Sequence, residues 1–354
     1  MGARTLVAFA ALVVRACAGE PVRRLRNGLE IPLVGFGVGN QDHELIPGVL
    51  EYADRRSANN VKPLRLIDTA MKSGNAHILA RSTRIASGAT MVLTKVWYTH
   101  LGYERTKLAV EDELMKYGRP KLDIVLLHWP RCNPKIPWME CDAEEAALPQ
   151  RVRDAGPAGS FIASWRALED LYDEGKIKAI GVSNFKVRDL TMLLSIPNLR
   201  TKPHMVQGAL WSVLFDPELM ALLRREDIFY QAYGVISGTV GKAEPRNDAA
   251  KRKRWARARR NLQVIADARG ASIGDAAAVS IAQVIQRWLI QRNIGIVPRA
   301  TTAPHFDANS AVRTLKALSA REMGEAAVGV EQLVRSVYDL PEGSWDAERV
   351  RHEL

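Results

Sequence analysis

A closed (β/α)8 barrel of the α/β class is the fold this sequence predicts. Three observations predict it. Short apolar runs alternate with longer amphipathic stretches eight times along the chain. Each apolar run is continuous and rich in branched residues, as a strand covered on both faces should be. Polar residues stand just past the ends of these runs, spread over all eight units. At 354 residues the chain has length enough for one such barrel, which commonly takes about 250 residues or more, so no second domain is required.

The apolar runs fall at 33–37, 64–68, 90–95, 122–128, 178–182, 203–207, 228–233 and 294–298. The amphipathic stretches fall at 43–57, 75–84, 103–117, 161–172, 187–194, 217–225, a long region from 251 to 291, and 304–318. Helix-start chemistry marks several of them. At Asp216-Pro217 a capping carboxylate precedes a proline at the first helical position. An open doubly wound sheet would alternate in the same way. It would also carry Gly-x-Gly-x-x-Gly after the first strand, which is absent here.

Both ends of the chain carry targeting features. Arg4, an apolar run over 6–14 and the small residues Ala16-Cys17-Ala18 before Gly19 have the layout of a secretory signal peptide over 1–18. Arg15 interrupts that layout, and an organelle-import segment fits the same residues. The run is too short to cross a membrane, and no later run is longer. The chain closes on Arg351-His352-Glu353-Leu354, close to a Lys-Asp-Glu-Leu retention signal. Together the two ends predict the endoplasmic reticulum lumen, with organelle import and the cytoplasm as alternatives. The barrel is expected over 27–330, followed by a tail over 331–354. Removal of Cys17 with the signal leaves Cys132 and Cys141, nine positions apart, as a disulfide or as two free thiols.

A net charge of +11 and a pI near 9.7 favour anionic partners: phosphate groups, nucleic acid or acidic membranes. The densest basic run, KRKRWARARR over 251–260, has seven basic residues in ten. Phosphate attraction and a solvated helix face both fit it. Nucleic-acid binding through this run and Trp255 is the weaker reading, because no nucleic-acid module accompanies it. No metal-ligand spacing is read, and a monomer is the expected state.

In such barrels the C-terminal ends of the strands build the site. Here those positions carry Asp68, Lys95, His128, Ser183-Asn184, Gln207, Tyr233 and Arg299. Singly, each has a plain explanation: a helix cap, a surface charge, a satisfied core imidazole. Together they bring an acid, an amine and an imidazole to one mouth. Buried charges are costly unless they pair, so the coincidence points to function.

From about Asn27 to about Val328 the chain resembles the aldo-keto reductases. NGLEIPLVGFG over 27–37 is similar to that family's opening hairpin and first strand. Ile67-Asp68-Thr69-Ala70 with Gly74-Asn75, Thr94-Lys95, and Leu126-Leu127-His128-Trp129-Pro130 resemble its second, third and fourth strand signatures. Gly181-Val182-Ser183-Asn184-Phe185 resembles the fifth, and QVIQRWLIQRNIGIVPR over 283–299 the last helix and strand.

The resemblance implies hydride transfer from a nicotinamide to an aldehyde or ketone. A tyrosine would donate the proton, a lysine paired with an aspartate would acidify it, and a histidine would orient the carbonyl. Lys95, Asp68 and His128 match the last three. The family's tyrosine position reads Ser73, a weaker and shorter acid than a phenol, whose reference pKa is about 10. A positioned acid is typically worth about 10²–10⁴ in rate. A water held by Ser73, Lys95 and His128 is one substitute; Lys72 and Tyr98 are others.

Cofactor binding is implied through Ser183, Asn184 and Gln207 at the carboxamide and Tyr233 stacked on the nicotinamide. At the far end of the dinucleotide, Arg299 and His305 would meet the 2′-phosphate, with Asn309 near the adenine. Arg299 keeps bidentate capacity for phosphate, so NADPH is expected over NADH. Ala300 and His305 stand where the family usually has a serine and an arginine, which weakens the grip. Val38-Gly39 also departs from the family's first-strand motif. Residues 131–160 are expected to wall the substrate pocket as a loop, with Trp138 as a candidate lining residue. A barrel that binds NADP(H) or a partner without turnover is the standing alternative.

Overall fold

The structure is a computed structural model that describes residues 16–17, 20–39, 41–58, 63–136, 138–271 and 279–338. Most of the signal-like segment and all of the closing Arg-His-Glu-Leu lie outside the described residues. Eight parallel strands form one sheet: β1 (Phe36–Gly37), β2 (Leu66–Asp68), β3 (Met91–Val96), β4 (Leu122–Leu127), β5 (Ile177–Ser183), β6 (Met205–Ala209), β7 (Phe229–Tyr233) and β8 (Gly295–Ile296). Parallel bridges Val34–Ile296 and Gly37–Arg299 join the first strand to the last and close the barrel. All six residues of β4 are buried, as an apolar run covered on both faces requires.

Helices follow the strands: α1 (Leu45–Ala58), α2 (Tyr103–Tyr117), α3 (Phe161–Asp173), α4 (Val187–Leu194), α5 (Pro217–Arg225), α6 (Ala249–Ala271), α7 (Ile281–Gln291), α8 (Ala303–Ala311) and α9 (Ala320–Val337). After β2 the connection is two short helices, Ala76–Leu79 and Thr83–Ala86, broken at Ser82, rather than one. At α5 the cap read from sequence is present: the Asp216 side chain accepts from Leu219 N at 3.0 Å, with Pro217 opening the helix. The long region 251–291 divides into α6 and α7, and Ser280 with Gln283 forms a capping box at the start of α7. The stretch read as 304–318 is helical only to Ala311.

Two additions fix the barrel's ends. An antiparallel hairpin, Glu20–Arg24 with Glu30–Pro32, begins ahead of residue 27 and covers the N-terminal end. Its turn needs Gly28 at φ +88°, and Asn27 donates from Nδ2 to the Lys178 carbonyl at 2.8 Å. On the flank, α6 packs along α9, where Gly329 lies so close to Leu262 that a Cβ would approach it to 2.9 Å. The helix α9 runs through residue 331, so packed structure continues to the buried Tyr338. The basic run is the outer part of α6, with Arg252, Lys253, Arg257 and Arg260 exposed while Ala258 and Leu262 are buried.

Candidate active site

The strand register brings the acid and the amine together. Lys95 Nζ donates to Asp68 Oδ1 at 2.6 Å and to the Thr69 carbonyl at 2.7 Å. Gln207 Nε2 donates to the same Asp68 oxygen at 2.7 Å and lies 2.8 Å from Gln231 Oε1. The Lys95 and Asp68 side chains are only 5% and 11% exposed. Desolvating two charges is expensive, and short charge-assisted bonds offset that cost here. Gln231 is an addition to the residues read from sequence. It stands two before Tyr233 on one strand, hence on the same face, and that period is the signal that could have found it.

His128 sits one strand over, its ring edge-on to Trp97 with centroids 4.9 Å apart. Its Nδ1 is buried and has no hydrogen-bond partner among the described residues. Burial, and then the Lys95 charge, hold its pKa well below the usual imidazole range. The ring is therefore neutral near pH 7, able to donate from one nitrogen and accept at the other.

Ser73 closes a short 3-10 turn, Met71–Ser73, that ends on Gly74 at φ +63°. Thr69 Oγ1 donates to Asn75 Oδ1 at 2.7 Å and Asn75 Nδ2 to the Val38 carbonyl at 3.0 Å, which pins this corner to the first strand. The Ser73 hydroxyl faces Gly39, where an added Cβ would lie 3.4 Å from it. Lys72 turns instead to Glu144, with Nζ 3.0 Å from Oε1, and stands 5.6 Å above the Trp97 ring. Trp97 Nε1 donates to the other oxygen of Glu144. Burial would raise the Glu144 pKa, but its bonds with Trp97 and Lys72 outweigh that and lower it. Tyr98 beside them has its pKa raised, by burial first and then by the Glu144 carboxylate, so its hydroxyl stays protonated.

Glu144 was not among the residues read from sequence. It arrives on a helix, Cys141–Ala146, inside the segment expected to be a loop; a second helix spans Gln150–Asp154. Cys132 and Cys141 are joined by a disulfide with their Cα atoms 6.0 Å apart. Arg105 grips the neighbouring Glu145 with two bonds, at 2.9 and 2.7 Å. Trp138 is 46% exposed and faces Trp97 and Trp129 with centroids 6.3 and 5.8 Å away.

The next rim group is chained to His128. Asn184, in the left-handed region at φ +61°, donates from Nδ2 to the His128 carbonyl at 3.0 Å and to Ser183 Oγ at 3.2 Å. Tyr233 donates to Asn184 Oδ1 at 2.7 Å. At the closing strand Arg299 is exposed and reaches the Gly39 carbonyl at 3.1 Å. His305, also exposed, opens α8 with Nδ1 3.2 Å from Thr301 Oγ1. Asn309 is buried and engaged internally, donating to the Arg299 carbonyl and accepting from Gln286, both at 3.0 Å. Among the described residues, no group of three or more His, Cys, Asp or Glu side chains is arranged to hold a metal ion.

The sequence pattern of the Aldo/keto reductase family matches residues 63–327. The chain belongs to that family. Among its relatives is the uncharacterised oxidoreductase YtbE of Bacillus subtilis, 29% identical over 81% of this chain and 85% of its own length. Morphine 6-dehydrogenase of Pseudomonas putida is 26% identical over 86% of this chain and 90% of its own. An aldo-keto reductase structure from a deep-sea metagenome superposes with a TM-score of 0.62 at 25% identity, covering 87% of this chain and 94% of its own. A Bombyx mori aldo-keto reductase solved with NADP superposes at 0.64 and 21% identity, over 89% and 94%, and shares the fold. Membership makes the chain an oxidoreductase-type barrel whose general chemistry is NAD(P)H-dependent carbonyl reduction. Among the described residues, no helix is long and apolar enough to cross a membrane.

Proposed function

We propose that this aldo-keto reductase binds NADPH and reduces small aldehydes or ketones with a modified, weaker acid site. The convergence of Lys95 and Gln207 on one oxygen of Asp68, with a further bond from Lys95 to the Thr69 carbonyl, carries the reading. The orphaned Nδ1 of His128 beside it fits a site completed by a ligand. Ser183, Asn184, Gln207 and Tyr233 would hold the nicotinamide end, and Arg299 with His305 the 2′-phosphate; Asn309 would act by holding the Arg299 backbone. When bound, the reduced nicotinamide supplies the hydride.

The protein's own residues do the rest. Asp68 keeps Lys95 charged and in place, and Lys95 stabilises the negative charge that develops on the carbonyl oxygen. Neutral His128 orients that oxygen. The proton reaches it from a water held at Ser73, whose hydroxyl is too short to span the gap a phenol would fill. A secreted-pathway location, in the endoplasmic reticulum lumen, is part of the proposal, and the Cys132–Cys141 disulfide supports it. A monomer is proposed as the working unit.

The replacement of the phenol at Ser73 favours a second reading, a barrel that holds NADPH without turnover. Fluorescence titration with NADPH and NADH, followed by a carbonyl panel, separates the two. The first reading expects stronger quenching by NADPH, slow turnover, loss of turnover in Lys95→Met, and a gain of about 10²–10⁴ in rate in Ser73→Tyr. Quenching without any wild-type turnover, with activity appearing only in Ser73→Tyr, gives the second. No quenching by either nucleotide sinks both.

A further inference from the structure

Beside the catalytic cluster, the loops after β4 and β5 enclose a cleft of about 370 Å³. Trp129 and Asn184, the residues directly after His128 and Ser183, are among its lining residues. Its walls carry Arg131, Lys135, Lys186 and Arg188 against one carboxylate, Asp189. Four cations and one anion leave a net charge of +3 in a concave space, where field lines concentrate.

The single carboxylate is already committed. Asp189 is 3% exposed; its Oδ1 accepts from Arg131 and its Oδ2 from the Lys186 backbone N–H at 3.3 Å. It stiffens the site without neutralising Lys135 or Arg188, both exposed on the rim. The wall is also held at its base. Cys132 is bonded to Cys141, Asn133 Oδ1 accepts from Lys135 N at 3.1 Å, and Asn133 N lies 3.4 Å from the Met139 sulfur. The cations are thus presented by a fixed backbone, which lowers the ordering cost of binding. Asn184 ties the cleft lining to the reaction centre, its amide donating to the His128 carbonyl at 3.0 Å.

We infer that this cleft receives an oxyanion, a carboxylate or a phosphate monoester, carried at the far end of a substrate whose carbonyl meets His128. Its size suits a small molecule rather than a macromolecular surface. The orientation of the substrate rests on the carbonyl-reduction reading; the binding of the anion does not.

The test is calorimetric titration of wild type and a Lys135→Glu/Arg188→Glu double variant. The probes are benzaldehyde, 4-carboxybenzaldehyde and 4-formylphenyl phosphate, each at low and high salt. Neither substituted residue belongs to the catalytic or cofactor-binding set, and NADPH quenching with a thermal melt serves as the folding control. At least one anionic aldehyde should bind about tenfold tighter than benzaldehyde to wild type, with the advantage shrinking at high salt. Preference for one anionic probe over the other identifies its source. The double variant should lose the preference while quenching by NADPH is unchanged. Equal binding of all three probes by wild type, or a preference that survives both substitutions, overturns the inference. Absent NADPH quenching with the preference intact removes the reductase reading alone.

Discussion

The two ends of this barrel satisfy their buried polar groups to different degrees. At the N-terminal end, Asp123 is fully buried and every lone pair is used. It accepts from Arg119 at 2.9 and 3.3 Å, from Lys178 at 2.6 Å and from Val92 N at 3.0 Å. At the C-terminal end, Asp68 accepts two bonds, both on Oδ1, and the His128 ring beside it keeps a buried nitrogen without a partner among the described residues. Asp123 is satisfied by the protein itself, as stability demands. The upper end leaves polar capacity for something else, and that incompleteness is what a binding site looks like in a folded chain.

This contrast can be broken or sharpened by experiment. The largest effect expected is at the lower end. Asp123→Ala strips Arg119 and Lys178 of their buried partner and should cost about 3–5 kcal/mol in urea unfolding. Cofactor affinity of the folded fraction should not move; if quenching by NADPH fell in parallel with stability, the two ends would not be separable. Next comes Cys141→Ser. Loss of a cross-link over so short a loop should cost about 2–3 kcal/mol on the chain-entropy account, and protease should then cut within 131–160 first. Uniform proteolysis along the chain would show that the disulfide does not hold this wall.

Acid gives a smaller, graded effect. Burial, and for His100 then the Arg105 charge, lowers His100 to about 4; burial likewise lowers His204 to about 4. Both pKa values are depressed on folding, so the unfolded chain takes up protons that the folded one refuses. Stability is intact above about pH 6.5 and falls as pH drops toward 4, by at most about 1.4 kcal/mol per pH unit for each histidine. Melting temperatures at pH 7, 6 and 5 should decline, and less steeply in His204→Asn. A flat profile would show that these rings are not held neutral. The smallest effect is at the upper end's edge: His305→Arg should tighten NADPH a few-fold and leave NADH unchanged, since only the former offers a phosphate to the new guanidinium. Equal tightening of both would remove the 2′-phosphate from that position.

Much of this molecule was legible in the sequence because its signals are local. Asp216-Pro217 caps α5 as read, since capping needs only neighbours along the chain. Asp68, Lys95 and His128 could be placed at one mouth because each follows an apolar strand, and parallel strands all point the same way. Other parts were not legible. The division of 251–291 into α6 and α7 shows only in the structure, where both helices pack against α9, far along the chain. The helix carrying Glu144 does not show in the sequence because its six residues, CDAEEA, have no apolar period. What holds it is a disulfide and the Trp97 and Lys72 contacts, none of them adjacent in sequence.

The sequence by itself therefore determined the order of strands and helices, the family, and which side chains stand at the strand ends, because these follow from periodicity and short motifs. Only the tertiary structure decided that Asp68 binds Lys95 and Gln207 through one oxygen, that Glu144 comes to Trp97, and that Arg131, Lys135, Lys186 and Arg188 share one cleft. Each of these turns on the distance between residues remote in sequence, and that distance exists only once the barrel has closed.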